Sequence, residues 1–187
     1  MDRRIVRPKV ENILLTLGGT DRANRLSRLL RILDQHDLSF SITVVVGPFS
    51  PHRDRLIQTS TRCRHSVRVV ESPSSLKSWM VQADLAVSAG GQTLYEMAAT
   101  GTPTLAVEMF DNQAGLIAGL ERYGSLRSAG RPEENGFQDR LQGMLLQLLS
   151  NSSLRQEMAE AGQRQVDGQG ALRVAQEIVL KALADAS

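Results

Sequence analysis

Leu85, Ala86 and Val87 form a short apolar run without alternation, and Gly90-Gly91 ends it. A strand that reads this way is buried on both faces, as strands are in parallel sheets covered by helices. The glycines lack a Cβ, so they allow a tight turn and let a ligand come close to the backbone. A helix is predicted from about Gln92 to Thr100, with Gly101 at the left-handed cap position and Pro103 beyond it. The first amides of such a helix have no intrahelical partner, and its dipole adds partial positive charge. That end suits an anion, above all a phosphate. Thr93 and Glu96 share one face of the helix, while Leu94, Met97 and Ala98 can face the sheet. A carboxylate at Glu96, one turn in, is placed to accept hydrogen bonds from ribose hydroxyls. An ordinary strand-to-helix turn with a solvated Glu96 fits the same spacing.

The pattern occurs twice. Ile13 to Leu17 reads as the first strand, followed by Gly18-Gly19-Thr20-Asp21 and a helix from about Arg22 to His36, capped by Thr20 or Asp21. The turn is not GxGxxG, so a dinucleotide fingerprint is absent. Further strands are predicted at Ile42 to Val46, Val67 to Val70, Thr104 to Val107 and Ser125 to Ser128. Helices fall at about His52 to Arg62, around Trp79 and Met80 (capped by Ser74 or Ser75), Asp111 to Arg122, Gly136 to Leu149, Ser152 to Val166 and Ala171 to Leu183.

This alternation implies an α/β fold, a Rossmann-like three-layer sandwich whose parallel sheet has the order 3-2-1-4-5-6. Strands one and four are then neighbours at the switch point, where ligands bind beyond the carboxyl ends of the strands. Gly18-Gly19 and Gly90-Gly91 would line the same crevice.

A length of 187 residues with 41% hydrophobic content suits one domain. Residues 1–10 read as a linker or tail and residues 11–187 as the domain. Aromatics at 4% argue against stacking platforms for single-stranded nucleic acid. The net charge is only +2, and the basic residues gather at Arg3, Arg4, Arg7 and Lys9 and from Arg53 to Arg68. They read as solvated surface rather than a nucleic-acid face. The lone Cys63 excludes an internal disulfide and fits a cytoplasmic location. No apolar run approaches the ~20 residues of a membrane span, and the basic start lacks the apolar core of a signal peptide.

Other chemistry is poorly supported. His36, His52 and His65 share no motif with a carboxylate or nucleophile and are expected at the surface. Ser88 lies outside a GxSxG elbow. Arg62, Arg64 and His65 could lower the pKa of Cys63, but no partner is placed, and the thiol reads as inert. No lysine follows either glycine turn as in a P-loop, and no Asp-x-Asp offers a metal site.

Taken in order, Gly18-Gly19-Thr20-Asp21, the stretch from Ala83 to Glu96, Gly101-Thr102-Pro103-Thr104, Asp111-Asn112-Gln113 and the stretch from Asp167 to Val174 resemble the C-terminal, UDP-binding half of the GT-B glycosyltransferases. The nearer relatives in that resemblance are the MurG-like transferases of peptidoglycan synthesis (the glycosyltransferase family 28 C-terminal type). Closer still are the UDP-sugar hydrolases of pseudaminic acid synthesis and the spore-coat polysaccharide proteins. The likeness covers roughly residues 11–182.

The resemblance implies that Gly90, Gly91, Gln92 and Thr93 hold a diphosphate through backbone amides and the Thr93 hydroxyl. Glu96 would bind the ribose, and Gly18, Gly19 and Thr20 would border the phosphates. The loop near Val70 and Glu71 would hold the uracil through its main chain, and Asn112 and Gln113 would face the sugar or distal phosphate. It implies UDP or a UDP-sugar as ligand, no cofactor and no metal. The partner it implies is an N-terminal GT-B half, with no nucleic acid and a membrane surface at most peripherally. Family enzymes carry the acceptor site and the catalytic base on that N-terminal domain. Only the expected linker precedes residue 11, so the expectation is a fragment or one subunit of a split transferase or hydrolase, with no catalytic residue assigned here. The alternative is a nucleotide-binding or interaction subunit without turnover, acting through a partner chain. The last helix, which crosses to the other domain in the family, would lack its packing surface.

Overall fold

The apolar runs form strands in the expected places. In the computed structural model, which describes residues 3–21 and 23–185, these are β1 (Asn12–Thr16), β2 (Ser41–Val46), β3 (Ser66–Glu71), β4 (Leu85–Ala89), β5 (Thr104–Val107) and β6 (Leu126–Gly130). Between and after them run α1 (Arg25–Leu33), α2 (Arg53–Ser60), α3 (Lys77–Gln82), α4 (Thr93–Thr100), α5 (Ala114–Arg122), α6 (Phe137–Ser150), α7 (Ser152–Gln165) and α8 (Gly170–Asp185). Arg22, the expected start of the first helix, lies outside the described residues, as do the outermost residues of the expected tail and domain.

All strand pairs are parallel, in the order β3-β2-β1-β4-β5-β6. Leu15 lies between Val44 and Val87, so the expected adjacency of strands one and four holds. The central strands are buried on both sides because successive residues serve opposite layers. Ile13 and Leu15 join Leu29, Leu33, Leu141 and Leu145 under α1 and α6, while Leu14 joins Met80 and Met97 under α3 and α4. Leu94, Ile117, Leu120 and Leu126 close a third cluster around α5.

Several boundaries move for local reasons. Asn24 takes a left-handed φ of 53°, so α1 starts at Arg25. Asp21 supplies the cap, accepting from the amides of Arg25 at 2.8 Å and Leu26 at 2.9 Å. The helix expected from Asp111 divides into a 3-10 turn over Asp111–Gln113 and α5. Gly101 sits at φ 65° behind α4, as expected of a left-handed cap.

The segment expected as a linker or tail is docked where it is described. The Arg4 guanidinium donates to the carbonyls of Met80 and Ala83 and to the Thr102 hydroxyl. Burial lowers its pKa, and Asp84 partly opposes that shift. This corrects the expectation of solvated surface for Arg4, while Arg3, Arg7 and Lys9 are exposed as expected. Arg155, 0% exposed, donates to the carbonyls of Leu148, Leu149, Arg7 and Pro8, joining the end of α6 to the same segment. Buried Asp84 accepts from the amides of Glu11 and Asn12 and from Arg7. These bonds fix the entry of the chain at the amino ends of the central strands β1 and β4, opposite the crevice.

Two of the histidines are not surface residues. His36 is buried, and burial lowers its pKa, with His65 adding to the effect. His65 stacks on Phe40 with ring centroids 4.2 Å apart, and its Nδ1 lies 3.0 Å from Asp34. By contrast α8 presents Leu172, Val174, Ile178, Val179 and Leu180 to solvent. This is the unpartnered surface expected of the last helix.

Candidate functional site

The carboxyl ends of β1 and β4 open side by side into turns of different character. After β4, the amides of Leu94 and Tyr95 return to the carbonyls of Gly91 and Gln92, both at 3.0 Å. The amides of Gly91, Gln92 and Thr93 donate no hydrogen bond among the described residues. No atom lies within 4 Å of a Cβ built on Gly91, so the turn is open on the side a side chain would take. This is a group of donors without protein partners at a helix N-terminus, the arrangement that receives phosphoryl oxygens.

After β1, Gly18 holds a φ of 86°, which glycine alone takes without strain. The amides of Gly19 and Thr20 are also without partners among the described residues. The α1 terminus, however, is already capped by the Asp21 carboxylate, which supplies the negative charge that its dipole favours. The α4 terminus has no side-chain cap of this kind, and Gly18, Gly19 and Thr20 follow β1, the strand beside β4. Thr20 uses its hydroxyl on the Phe49 carbonyl at 3.1 Å, while the Phe49 amide donates to Gly19. A Cβ on Gly47 would stand 2.3 Å from the Gly18 carbonyl oxygen, so the β2 turn presses directly on the β1 turn. That close approach was not foreseen from the sequence.

Beside the α4 turn lies a cavity of about 550 Å³ between the β3–α3 loop, α3, α4 and the start of the α7–α8 loop. Ser74 and Ser75 line one side, Tyr95 and Glu96 another, and Val166 and Gly168 a third. Glu96 is exposed on this wall, and its carboxylate makes no hydrogen bond or ion pair among the described residues; its carbonyl accepts from the Thr100 hydroxyl at 2.9 Å. Two carboxylate oxygens on the wall of a cleft can accept from a vicinal diol.

The remaining expected residues are distributed less simply. Val70 and Glu71 are the last two residues of β3, paired with Val45 and Val46, so the loop itself begins at Ser72. Ser72 has a φ of 41° and donates its amide to Val46, which turns the chain toward the cavity. Glu71 is held by Arg53 at 2.5 and 2.7 Å, which keeps its carboxyl below the usual carboxylate range. Gln113 accepts from the Met109 amide at 2.8 Å and so closes the β5–α5 loop on itself. Asn112 is exposed in the 3-10 turn. Arg131, from the loop after β6, binds Glu108 and, at 2.6 Å, Asp111. Its hydrogen bonds with these carboxylates raise its pKa and tie two crevice loops together. His52 is the N-cap residue of α2, in the loop that follows β2. The thiol of Cys63 is far from activated: burial, followed by Asp34, pushes it up to about 11.

The fold has close counterparts. Acinetobacter baumannii MurG matches with a TM-score of 0.77 over 92% of this chain and 50% of that one, at 20% sequence identity. The fold is that of one GT-B half-domain. No family model matches the sequence. Among curated proteins, the spore coat polysaccharide biosynthesis protein SpsG of Bacillus subtilis is 28% identical over 169 residues, 87% of this chain and 48% of that protein. A Salinibacter ruber protein described as UDP-N-acetylglucosamine--N-acetylmuramyl-(pentapeptide) pyrophosphoryl-undecaprenol N-acetylglucosamine transferase is 31% identical over 184 residues, 95% of this chain and 48% of that protein. The chain spans about half the length of these two curated relatives, 48% of each. Both relatives are of the kinds that the resemblance named. Among the described residues no helix is long and apolar enough to cross a membrane.

Proposed function

We propose that this GT-B half-domain binds UDP or a UDP-sugar as the donor side of a transferase or UDP-sugar hydrolase in glycan synthesis. The observation that carries this reading is the group of partnerless amides of Gly91, Gln92 and Thr93 at the start of α4, the helix whose Tyr95 and Glu96 line the cavity. In this reading the diphosphate takes the amides and the Thr93 hydroxyl, Glu96 takes the ribose hydroxyls, and the uracil enters between the Ser72 loop and α4. Asn112 sits toward the sugar.

Thermal denaturation with UDP, UDP-sugars, ADP and NAD tests the reading. At about 100 times its Kd, a ligand adds roughly 2.7 kcal/mol of stability. UDP should raise the Tm and NAD should not; equal shifts by NAD and UDP would overturn the assignment.

The crevice as described offers groups for binding rather than for proton transfer, and catalysis needs a base within reach of the attacking oxygen. We therefore expect negligible UDP release from a UDP-sugar by this chain alone. We expect activity when an N-terminal half is supplied in trans. Sustained turnover by the chain alone would sink this part of the proposal. A second reading, a subunit without turnover that works through a partner chain, is favoured by the exposed apolar side chains of α8. It predicts UDP binding with no activity in either assay.

A further inference from the structure

A second polar recess lies between α1 and α2, on a different part of the surface from the glycine turns. It holds about 300 Å³ and is lined by Arg31, Asp34, Arg55, Thr59, Arg62 and Cys63 among others. The surrounding segment 53–68 carries five arginines against one aspartate, in a chain whose net charge is only +2.

Many arginines of the chain, two of that segment included, have a carboxylate. Arg3 pairs with Glu160, Arg25 with Glu133, Arg53 with Glu71, Arg64 with Asp37 and Arg140 with Glu134. Arg31, Arg55 and Arg62 make no side-chain hydrogen bond or ion pair among the described residues, although they line one recess. Asp34, the carboxylate in that recess, is already engaged. It accepts from the Arg64 amide at 3.1 Å, and from the amide and the Nδ1 of His65, both at 3.0 Å. Its pKa is lowered despite burial, through those bonds from His65 and Arg64. Cys63 stays a neutral thiol. One spoken-for negative charge therefore stands against three unpaired positive ones.

Helix dipoles do not account for the arrangement. Arg31, in the last turn of α1, gains from the dipole, but Arg55 lies in the first turn of α2, where a cation is disfavoured. Guanidinium groups gathered without a counter-charge form a receptor for a compact oxyanion, which each can grip with paired N–H donors. The recess is concave and near the small end of ligand-pocket volumes, which suits a small ligand better than a flat surface.

We propose that the α1–α2 recess binds a phosphoryl anion through Arg31, Arg55 and Arg62, as free phosphate or pyrophosphate or as the charged end of a small phosphorylated molecule. This site is separate from the crevice and does not depend on its nucleotide reading.

NMR titration with pyrophosphate reads the two places independently. We expect saturable shifts of the amides of residues 31–34 and 55–63 that weaken as salt rises. The triple variant Arg31→Gln, Arg55→Gln, Arg62→Gln should bind there about tenfold more weakly or worse, with responses at Gly19 and Gly91 unchanged. If that variant does not fold, Arg62→Gln alone serves, with a smaller loss of the same kind. No saturable shift at these amides, or an equal shift in the variants, would overturn the proposal. So would association with phosphatidylglycerol vesicles in the absence of any response to pyrophosphate, which would make the patch a membrane contact instead.

Discussion

A Cβ on Gly90 would stand 2.5 Å from Ile117 Cδ1 and 2.8 Å from Gln113 Cβ. The second glycine turn therefore fits under α5 only because residue 90 has no side chain. Its neighbour Gly91 faces open space, with nothing within 4 Å of its Cβ position. The two glycines answer to different demands: packing fixes Gly90, and in the proposed reading ligand access fixes Gly91.

Substitution separates those demands. Gly90→Ala forces α5 outward and should lose about 1–3 kcal/mol of stability, as overpacked core substitutions do. Gly91→Ala should leave the denaturant midpoint nearly unchanged and weaken UDP binding. A Gly90→Ala protein as stable as the parent in urea titration would show that α5 adapts freely.

Glu96→Ala removes an exposed side chain with no partner among the described residues, so stability should hold. UDP affinity should fall by the equivalent of about 1.5–3 kcal/mol if the carboxylate accepts from ribose. Calorimetry with UDP and its deoxyribose analogue checks this, because the analogue should lose less against the variant than against the parent. Unchanged affinity for UDP would remove Glu96 from the site.

Arg155→Met should be among the more damaging substitutions. It leaves the carbonyls of Leu148, Leu149, Arg7 and Pro8 without their shared donor. A loss of about 3 kcal/mol is expected from unsatisfied buried acceptors. Faster proteolysis within residues 3–10 should accompany it, since two of these carbonyls hold that segment.

His36 sets an acid limit. Burial lowers its pKa from the ordinary value of 6.5, so the folded protein resists a proton that the unfolded chain accepts. The stability that neutral His36 contributes is present above pH 6.5 and is lost as the pH falls below it toward the folded value. Urea midpoints measured between pH 7 and pH 5 should decline, and His36→Gln should flatten that decline.

Divalent metal should be dispensable for UDP binding, since backbone amides and a helix end supply the positive field for the phosphates. Calorimetry with and without EDTA should give the same Kd. A tenfold loss on chelation would require a metal in the crevice.

The sequence alone determined the sheet. Leu85 to Val87 and Ile13 to Leu17 are apolar without alternation, and that pattern is stable only between two layers of helices. Glycine pairs behind both strands then marked the switch point, because turn chemistry is local. The placement of Glu96 on the first turn of α4 followed from helical spacing for the same reason.

Tertiary structure alone decided how the turns divide their work. Asp21 caps α1 across an intervening left-handed Asn24, which leaves α4 as the one of these two helices whose start has no side-chain cap. The pressure of Gly47 on Gly18 joins residues 29 positions apart, and Arg155 collects carbonyls from both ends of the domain. His36 looked like a surface residue because nothing around it in sequence shows what will cover it. Periodicity and turn chemistry belong to neighbouring residues and can be read along the chain. The burial of a charge or a ring depends on partners that only the folded path brings within hydrogen-bond reach.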